Sequence, residues 1–283
     1  MPKVHANGIQ IYYQQMGDGP DVVLIHGLTG DLSGWYLQAM PALAKEFRVM
    51  SYDLRGHGYS EMSPSGYDSA HMAADLHGLL VSLGIERAHL VGYSFGGTIG
   101  LHCAVLHPER VASLVLADPG IPALQPLVDL KKWPYYDAVE EKLNERGLSL
   151  ADERWADLAL VVRHMARRPF RLGLRRGLER NSRRLHRLVD NTSALAEAQE
   201  VAGLTMDRIG EVRQPTLAIY GQISPLIPIA EYLRDNMPNC RLAIVEEVAH
   251  LFALRKPEEF VAMVGAFLRG LNGDGASGAP RTP

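Results

Sequence analysis

The chain has 283 residues, enough to bury a large core, and its 47% hydrophobic and 22% charged content is that of an ordinary globular protein. A formal net charge of −3 excludes bulk attraction to nucleic acid or to an anionic membrane surface. Cys103 and Cys240 lie far apart with no metal-ligand spacing around either, so both read as reduced packing residues.

Taken in order, residues 1–7 lack the apolar core of a signal peptide, and no run approaches the ~18 apolar residues of a membrane span. A cytoplasmic location is the default expectation. Ile9-Gln10-Ile11-Tyr12-Tyr13-Gln14 alternates apolar and polar side chains and predicts a strand with one wet face, whereas Asp21-Val22-Val23-Leu24-Ile25-His26 is a continuous run suited to a central strand. A helix is expected over residues 35–45, a strand over 47–52, and an amphipathic helix over 70–83, stopped by Gly84. A short strand at 87–91 leads to Gly92, an apolar helix follows over 98–106 until Pro108, and residues 111–117 form the next strand. The rhythm then breaks. Residues 121–203 contain no convincing strand and are dominated by helical stretches, including 135–146 and 152–168. Strand character returns at 215–221 and 241–245, with helices near 229–236 and from Pro257 to residue 268. Alternating strands and helices predict an α/β fold with a mostly parallel, doubly wound sheet. The core is therefore assigned to residues 1–120 and 204–271, a helical cap insertion to 121–203, and a disordered tail rich in Gly, Ala, Ser and Pro to 272–283.

Between the fourth strand and its helix stands Gly92-Tyr93-Ser94-Phe95-Gly96. A serine held in a sharp strand-to-helix turn needs small neighbours on both sides, because a Cβ at Gly92 or Gly96 would crowd the backbone that pushes the hydroxyl outward. The motif arrives with His26-Gly27-Leu28 after an earlier central strand and with His250 after the last one. In this order and context the chain resembles the α/β-hydrolase superfamily over nearly its whole length. The resemblance implies a serine hydrolase that needs no cofactor or metal. Ser94 is the nucleophile, His250 the base, and the backbone N–H groups of Leu28 and Phe95 form the oxyanion hole. In the family, the segment beginning at His26 and the Asp53-x-Arg55-Gly56-His57-Gly58 turn are structural, so His26 and His57 are expected to hold loops rather than protons. His71, His77, His102, His107, His164 and His186 are expected on helix surfaces or helix ends.

The acid departs from the family pattern. An Asp commonly follows the strand ending Tyr-Gly, and here Gly221-Gln222-Ile223-Ser224-Pro225 places Ser224 in that position. A serine cannot stabilise an imidazolium as a carboxylate does. The acid has moved to Asp118, at the end of the preceding strand and similar to an alternative family position, or Glu246 or Glu247 serves from the loop of His250, or a Ser–His pair acts without one. Asp118 is the preferred assignment.

The cap concentrates positive charge in Arg163, Arg167, Arg168, Arg171, Arg175, Arg176, Arg180, Arg183, Arg184 and Arg187, with Glu179 the single acid in that span. The block is either a solvated helical face or an electropositive surface for an anionic or carrier-bound substrate, with Arg175 and Arg176 as the residues to test. Nucleic acid is not expected, since the block lacks interleaved aromatics. Trp133, Tyr135, Tyr136 and Trp155 line an acyl pocket or form the cap's own core. The expected activity is cleavage of a small ester, thioester or lactone. Carbon–carbon hydrolysis, acyl transfer and elimination use the same serine and stay open, as does, in another class, a degenerate ligand-binding protein.

Overall fold

Strands whose side chains are apolar on both faces must be covered by helices on both faces, and the uninterrupted runs of this chain are used in that way. A computed structural model describes residues 2–37, 39–144 and 175–274. Among them eight strands form one sheet: β1 (Lys3–Ala6), β2 (Ile9–Met16), β3 (Asp21–Ile25), β4 (Arg48–Tyr52), β5 (Ala88–Tyr93), β6 (Val111–Ala117), β7 (Thr216–Gly221) and β8 (Cys240–Val245), in the order β1-β2-β4-β3-β5-β6-β7-β8. β1 and β2 pair antiparallel and β2 joins β4 antiparallel, while all remaining pairs are parallel. This is the α/β-hydrolase arrangement the sequence predicts. β1 was not among the expected strands; it is tied to β2 by a tight turn at Asn7 and Gly8, both at positive φ (46° and 80°).

Period-two alternation sorts each central strand between two cores. Val23, Ile25, Leu90, Leu114, Leu116 and Tyr220 face one side, where they meet α3 (Ser69–Ser82), α4 (Phe95–Leu106) and α9 (Ile227–Asn236). Val22, Leu24, Val91, Val115 and Ile219 face the other, where Met40 and Leu43 of α2 (Ala39–Leu43), Phe252 of α10 (Phe252–Arg255) and Phe260, Val264 and Leu268 of α11 (Pro257–Asp274) cover them. The single helix expected over 35–45 is two short ones, α1 (Ser33–Tyr36) and α2, with Trp35 stacked on Phe260 at 5.6 Å. The last helix runs to Asp274, past residue 272 where a disordered tail was expected. Its buried Phe260, Val264 and Leu268 anchor a nucleus from which a further turn propagates. Cys103 is buried, Cys240 half-buried, and both are free thiols. No helix of the described residues is long and apolar enough to cross a membrane.

The insertion after β6 contributes α5 (Tyr136–Asn144), α6 (Arg175–Asn191) and α7 (Ala194–Glu197), followed by α8 (Met206–Gly210) before β7. The expected helix at 152–168 and Trp155 lie outside the described residues, as do the side chains of Arg175 and Arg176. Arg184, a member of the basic block, is turned to the core: its guanidinium donates to Gly56 O at 3.0 Å and also to Ser60 O. Leu185 and Leu188 are buried against the main core, and the Glu197 carboxylate accepts the Gly66 and Tyr67 N–H groups at 2.8 and 2.6 Å. Trp133 and Tyr135 pack on each other with ring centroids 6.0 Å apart, and Tyr135 is exposed.

Candidate active site

Ser94, Asp118 and His250 are far apart in sequence, and each follows the carboxyl end of a parallel strand. Ser94 follows β5 and is the N-cap of α4, with φ 54° and ψ −126°, a backbone position that side-chain-bearing residues rarely adopt and that costs ~1–3 kcal/mol. The turn is possible because its flanks are glycine. A Cβ on Gly92 would lie 2.3 Å from Gly96 O, and one on Gly96 2.3 Å from Ile25 O. The backbone of Ser94 is held by its N–H on Ala117 O at 2.8 Å, and the residue is half-buried.

His250 Nε2 lies 3.0 Å from Ser94 Oγ, within hydrogen-bond reach. Its Nδ1 faces Asp118 Oδ1 at 3.3 Å, an ion-pair distance, although the ring is turned so that Nδ1 makes no directional hydrogen bond in this conformation. The distance is the more telling of these two observations, since catalytic contacts in an unliganded site are often long or misaligned and tighten when charge develops. The side chain is 28% exposed, and the backbone carbonyl of His250 accepts the Tyr93 hydroxyl at 3.0 Å.

Asp118 is fully buried and sits at φ 52° at the end of β6. Its Oδ1 accepts the Ser224 hydroxyl at 2.8 Å, and its Oδ2 the Gly221 N–H at 3.2 Å. Ser224 Oγ in turn accepts Leu226 N–H at 3.2 Å. The serine that occupies the family's usual acid position therefore touches the carboxylate on the next strand. Glu246 and Glu247 are exposed, and among the described residues neither pairs with His250. Sequence reasoning missed the Ser224–Asp118 contact, which joins residues 106 apart; their placement at the ends of adjacent strands was the only available signal.

The loop after β3 is fixed by two buried histidines. His26 Nε2 accepts Leu54 N–H at 3.0 Å, which leaves the proton on Nδ1 to be donated to Gly27 O at 2.8 Å. The Gly27 carbonyl and the Leu28 N–H belong to one planar peptide and point in opposite directions, so turning the oxygen toward His26 turns the N–H away from it. Both ring nitrogens of His57 lie on carbonyls, Arg55 O at 2.7 Å and Leu28 O at 2.6 Å. Those partners favour the imidazolium, but burial, with the neighbouring His26, outweighs them and lowers the pKa to about 4. Asp53 accepts Leu32 and Tyr59 N–H groups at 2.9 and 2.7 Å, and Arg55 forms a bidentate pair with buried Asp75 at 2.9 and 2.6 Å. Phe95 N–H opens the first turn of α4 directly after Ser94. His102, expected on a helix surface, is instead buried in α4, because that helix is apolar on all sides and packs against the sheet. Its Nδ1 pairs with Ser69 Oγ at 2.8 Å, and burial lowers its pKa to about 4. His164 lies outside the described residues.

The alpha/beta hydrolase fold family model matches residues 20–257. The chain belongs to that family. It is similar to the dihydrolipoyllysine-residue acetyltransferase component of the acetoin cleaving system of Pseudomonas putida, 30% identical over 94% of this chain and 69% of that protein. It is equally similar, at 30% identity over 94% of this chain and 93% of the relative, to the 2-hydroxymuconate semialdehyde hydrolase of Pseudomonas sp. (strain CF600). Among solved structures, the enol-lactonase from Burkholderia xenovorans LB400 superposes with a TM-score of 0.66 at 24% identity, covering 95% of this chain and all of that one; this likeness shows the fold alone. The family is one of hydrolases with varied substrates.

Proposed function

We propose that this hydrolase cleaves a small ester, thioester or lactone through an acyl-enzyme on Ser94. The observation that carries the reading is the position of His250, with Nε2 3.0 Å from Ser94 Oγ and Nδ1 3.3 Å from the buried carboxylate of Asp118. His250 Nε2 takes the hydroxyl proton as Oγ bonds to the acyl carbon, and Asp118 stabilises the imidazolium that forms. The carbonyl oxygen, now negative, accepts the Leu28 and Phe95 N–H groups, each worth on the order of 3 kcal/mol. The intermediate collapses as the C–O or C–S bond breaks and the imidazolium protonates the departing alkoxide or thiolate. Water, deprotonated by the same imidazole, then releases the acid and regenerates Ser94.

A fluorophosphonate probe tests this reading: it labels the wild type once, and the label disappears in Ser94→Ala and His250→Ala. Absence of labelling at any pH favours a non-catalytic ligand-binding protein. The similarity to a semialdehyde hydrolase favours a second reading, cleavage of a carbon–carbon bond beside a carbonyl with the same residues. Product analysis on matched ester and carbon–carbon substrates separates the two. An anionic or carrier-bound acyl donor is supported by the basic block: reversing the charge of Arg175 and Arg176 then raises KM for that donor and leaves a small neutral ester unaffected.

A further inference from the structure

Far from Ser94, the other end of α4 brings three potential metal donors together. His107 is the C-cap of this helix, Pro108 stops it, and the following turn (Pro108–Arg110) carries Glu109 back beside His107. His77 reaches the same place from the last part of α3, which packs along α4. The ligand atoms of His77, His107 and Glu109 all lie within 4.8 Å of one another. The two imidazoles are stacked face to face, with centroids 3.8 Å apart and planes 9° from parallel. Among the described residues no hydrogen bond occupies their ring nitrogens.

We propose that His77, His107 and Glu109 form a binding site for one divalent transition-metal ion of the zinc class. Two imidazoles and a carboxylate suit zinc, cobalt or nickel better than calcium or magnesium, which select oxygen-only sets. Donors around a tetrahedral ion with bonds of ~2.0–2.1 Å stand roughly 3.4 Å apart, so donors that lie within 4.8 Å of one another close by at most about 1.4 Å on binding. An imidazole binds a metal in its ring plane, and parallel rings cannot both do so. One ring must swing out of the stack about its Cβ–Cγ bond, and both rings are only half-buried.

Two features favour the ion. The backbone carrying His107 and Glu109 is already held: Arg110 N–H donates to His107 O at 3.0 Å, and Gln214 Nε2 to Pro108 O at 2.9 Å. A cation at this point meets the negative end of the α4 dipole. The opposing group is Arg110, whose Nε is 3.9 Å from Glu109; that contact is at the surface and weak. The bound ion clamps α3 to the end of α4. Twelve helical residues separate this clamp from Ser94, about 18 Å along the axis, so it acts on stability rather than on the reaction.

The test uses full-length protein stripped with EDTA, titrated calorimetrically with Zn2+ and followed optically with Co2+. One equivalent of Zn2+ should bind, raise Tm and, as Co2+, give visible bands of a low-coordinate site. His77→Ala and His107→Ala should each weaken binding by about 100-fold or more, and the exposed Glu109→Gln by about tenfold, with the Tm increment lost in parallel. His250→Ala should leave the titration unchanged. The proposal is overturned if the wild type takes up no Zn2+, or if Glu109→Gln and His77→Ala bind it as the wild type does.

Discussion

Two groups of histidines surround the rim of this sheet and are used in opposite ways. After β3 and β4, His26 and His57 are buried and spend their ring nitrogens on backbone groups: Leu54 N–H, Gly27 O, Arg55 O and Leu28 O. After β8, His250 is part-exposed and presents its ring nitrogens to two side chains, Ser94 and Asp118. A ring locked to backbone and held neutral by burial shapes a loop. A ring set between a hydroxyl and a carboxylate has the geometry that the proposed proton transfer requires.

The comparison breaks most visibly at His250. His250→Gln should lower kcat by on the order of 10^6-fold, because nucleophile and base act as a unit, with little change in stability since the ring is not part of the core. A variant that kept more than a few per cent of turnover would place the base elsewhere.

Buried histidines should respond to acid instead. The pKa of His57 and that of His102 are each lowered to about 4 by burial. In the unfolded chain both take up protons below about 6.5. The unfolded state therefore binds more protons between those values, and the stability these neutral rings contribute is complete above about pH 6.5 and is lost as pH falls toward 4. Each group should cost roughly 2 kcal/mol by pH 5, at about 1.4 kcal/mol per pH unit. Urea unfolding at pH 7 and pH 5 measures this, and a flat stability over that interval would contradict the account of these two rings.

Much of this contrast was legible in the chain. The glycines at 92 and 96 mark the strained turn, because at each of them a Cβ would lie 2.3 Å from a backbone oxygen. The apolar runs before Asp118 and His250 placed both at strand ends, and the resemblance to the family, not the runs, singled them out as acid and base. What escaped depends on partners distant in sequence or on the absence of a distinct face. The burial of His102 is invisible in a helix that is apolar all round, and the contact between Ser224 and Asp118 exists only once β6 and β7 lie side by side. The first strand was missed because Lys3-Val4-His5-Ala6 is a mostly exposed edge, although Asn7-Gly8 is a hairpin signal.

Ser224 sharpens the comparison at smaller scale, since it stands behind the Asp118 carboxylate as His26 and His57 stand behind the loop after β3. Ser224→Ala removes a hydrogen bond to Asp118 and an acceptor from Leu226 N–H. It should lower the unfolding free energy by about 1–3 kcal/mol. The expected fall in kcat is no more than about tenfold, or about 1.4 kcal/mol. A loss as large as that of His250→Gln would make Ser224 a member of the reacting set.

The central claim is that Asp118, on the strand before the family's usual acid position, completes the pair of Ser94 and His250. Steady-state kinetics of Asp118→Asn on the best ester substrate test it most directly. Asparagine keeps the shape and tolerates the left-handed backbone at φ 52°, so the fold is preserved while the charge is removed. The account predicts a fall in kcat of about 10^4-fold with Tm near that of the wild type; turnover within a few-fold of the wild type would contradict it.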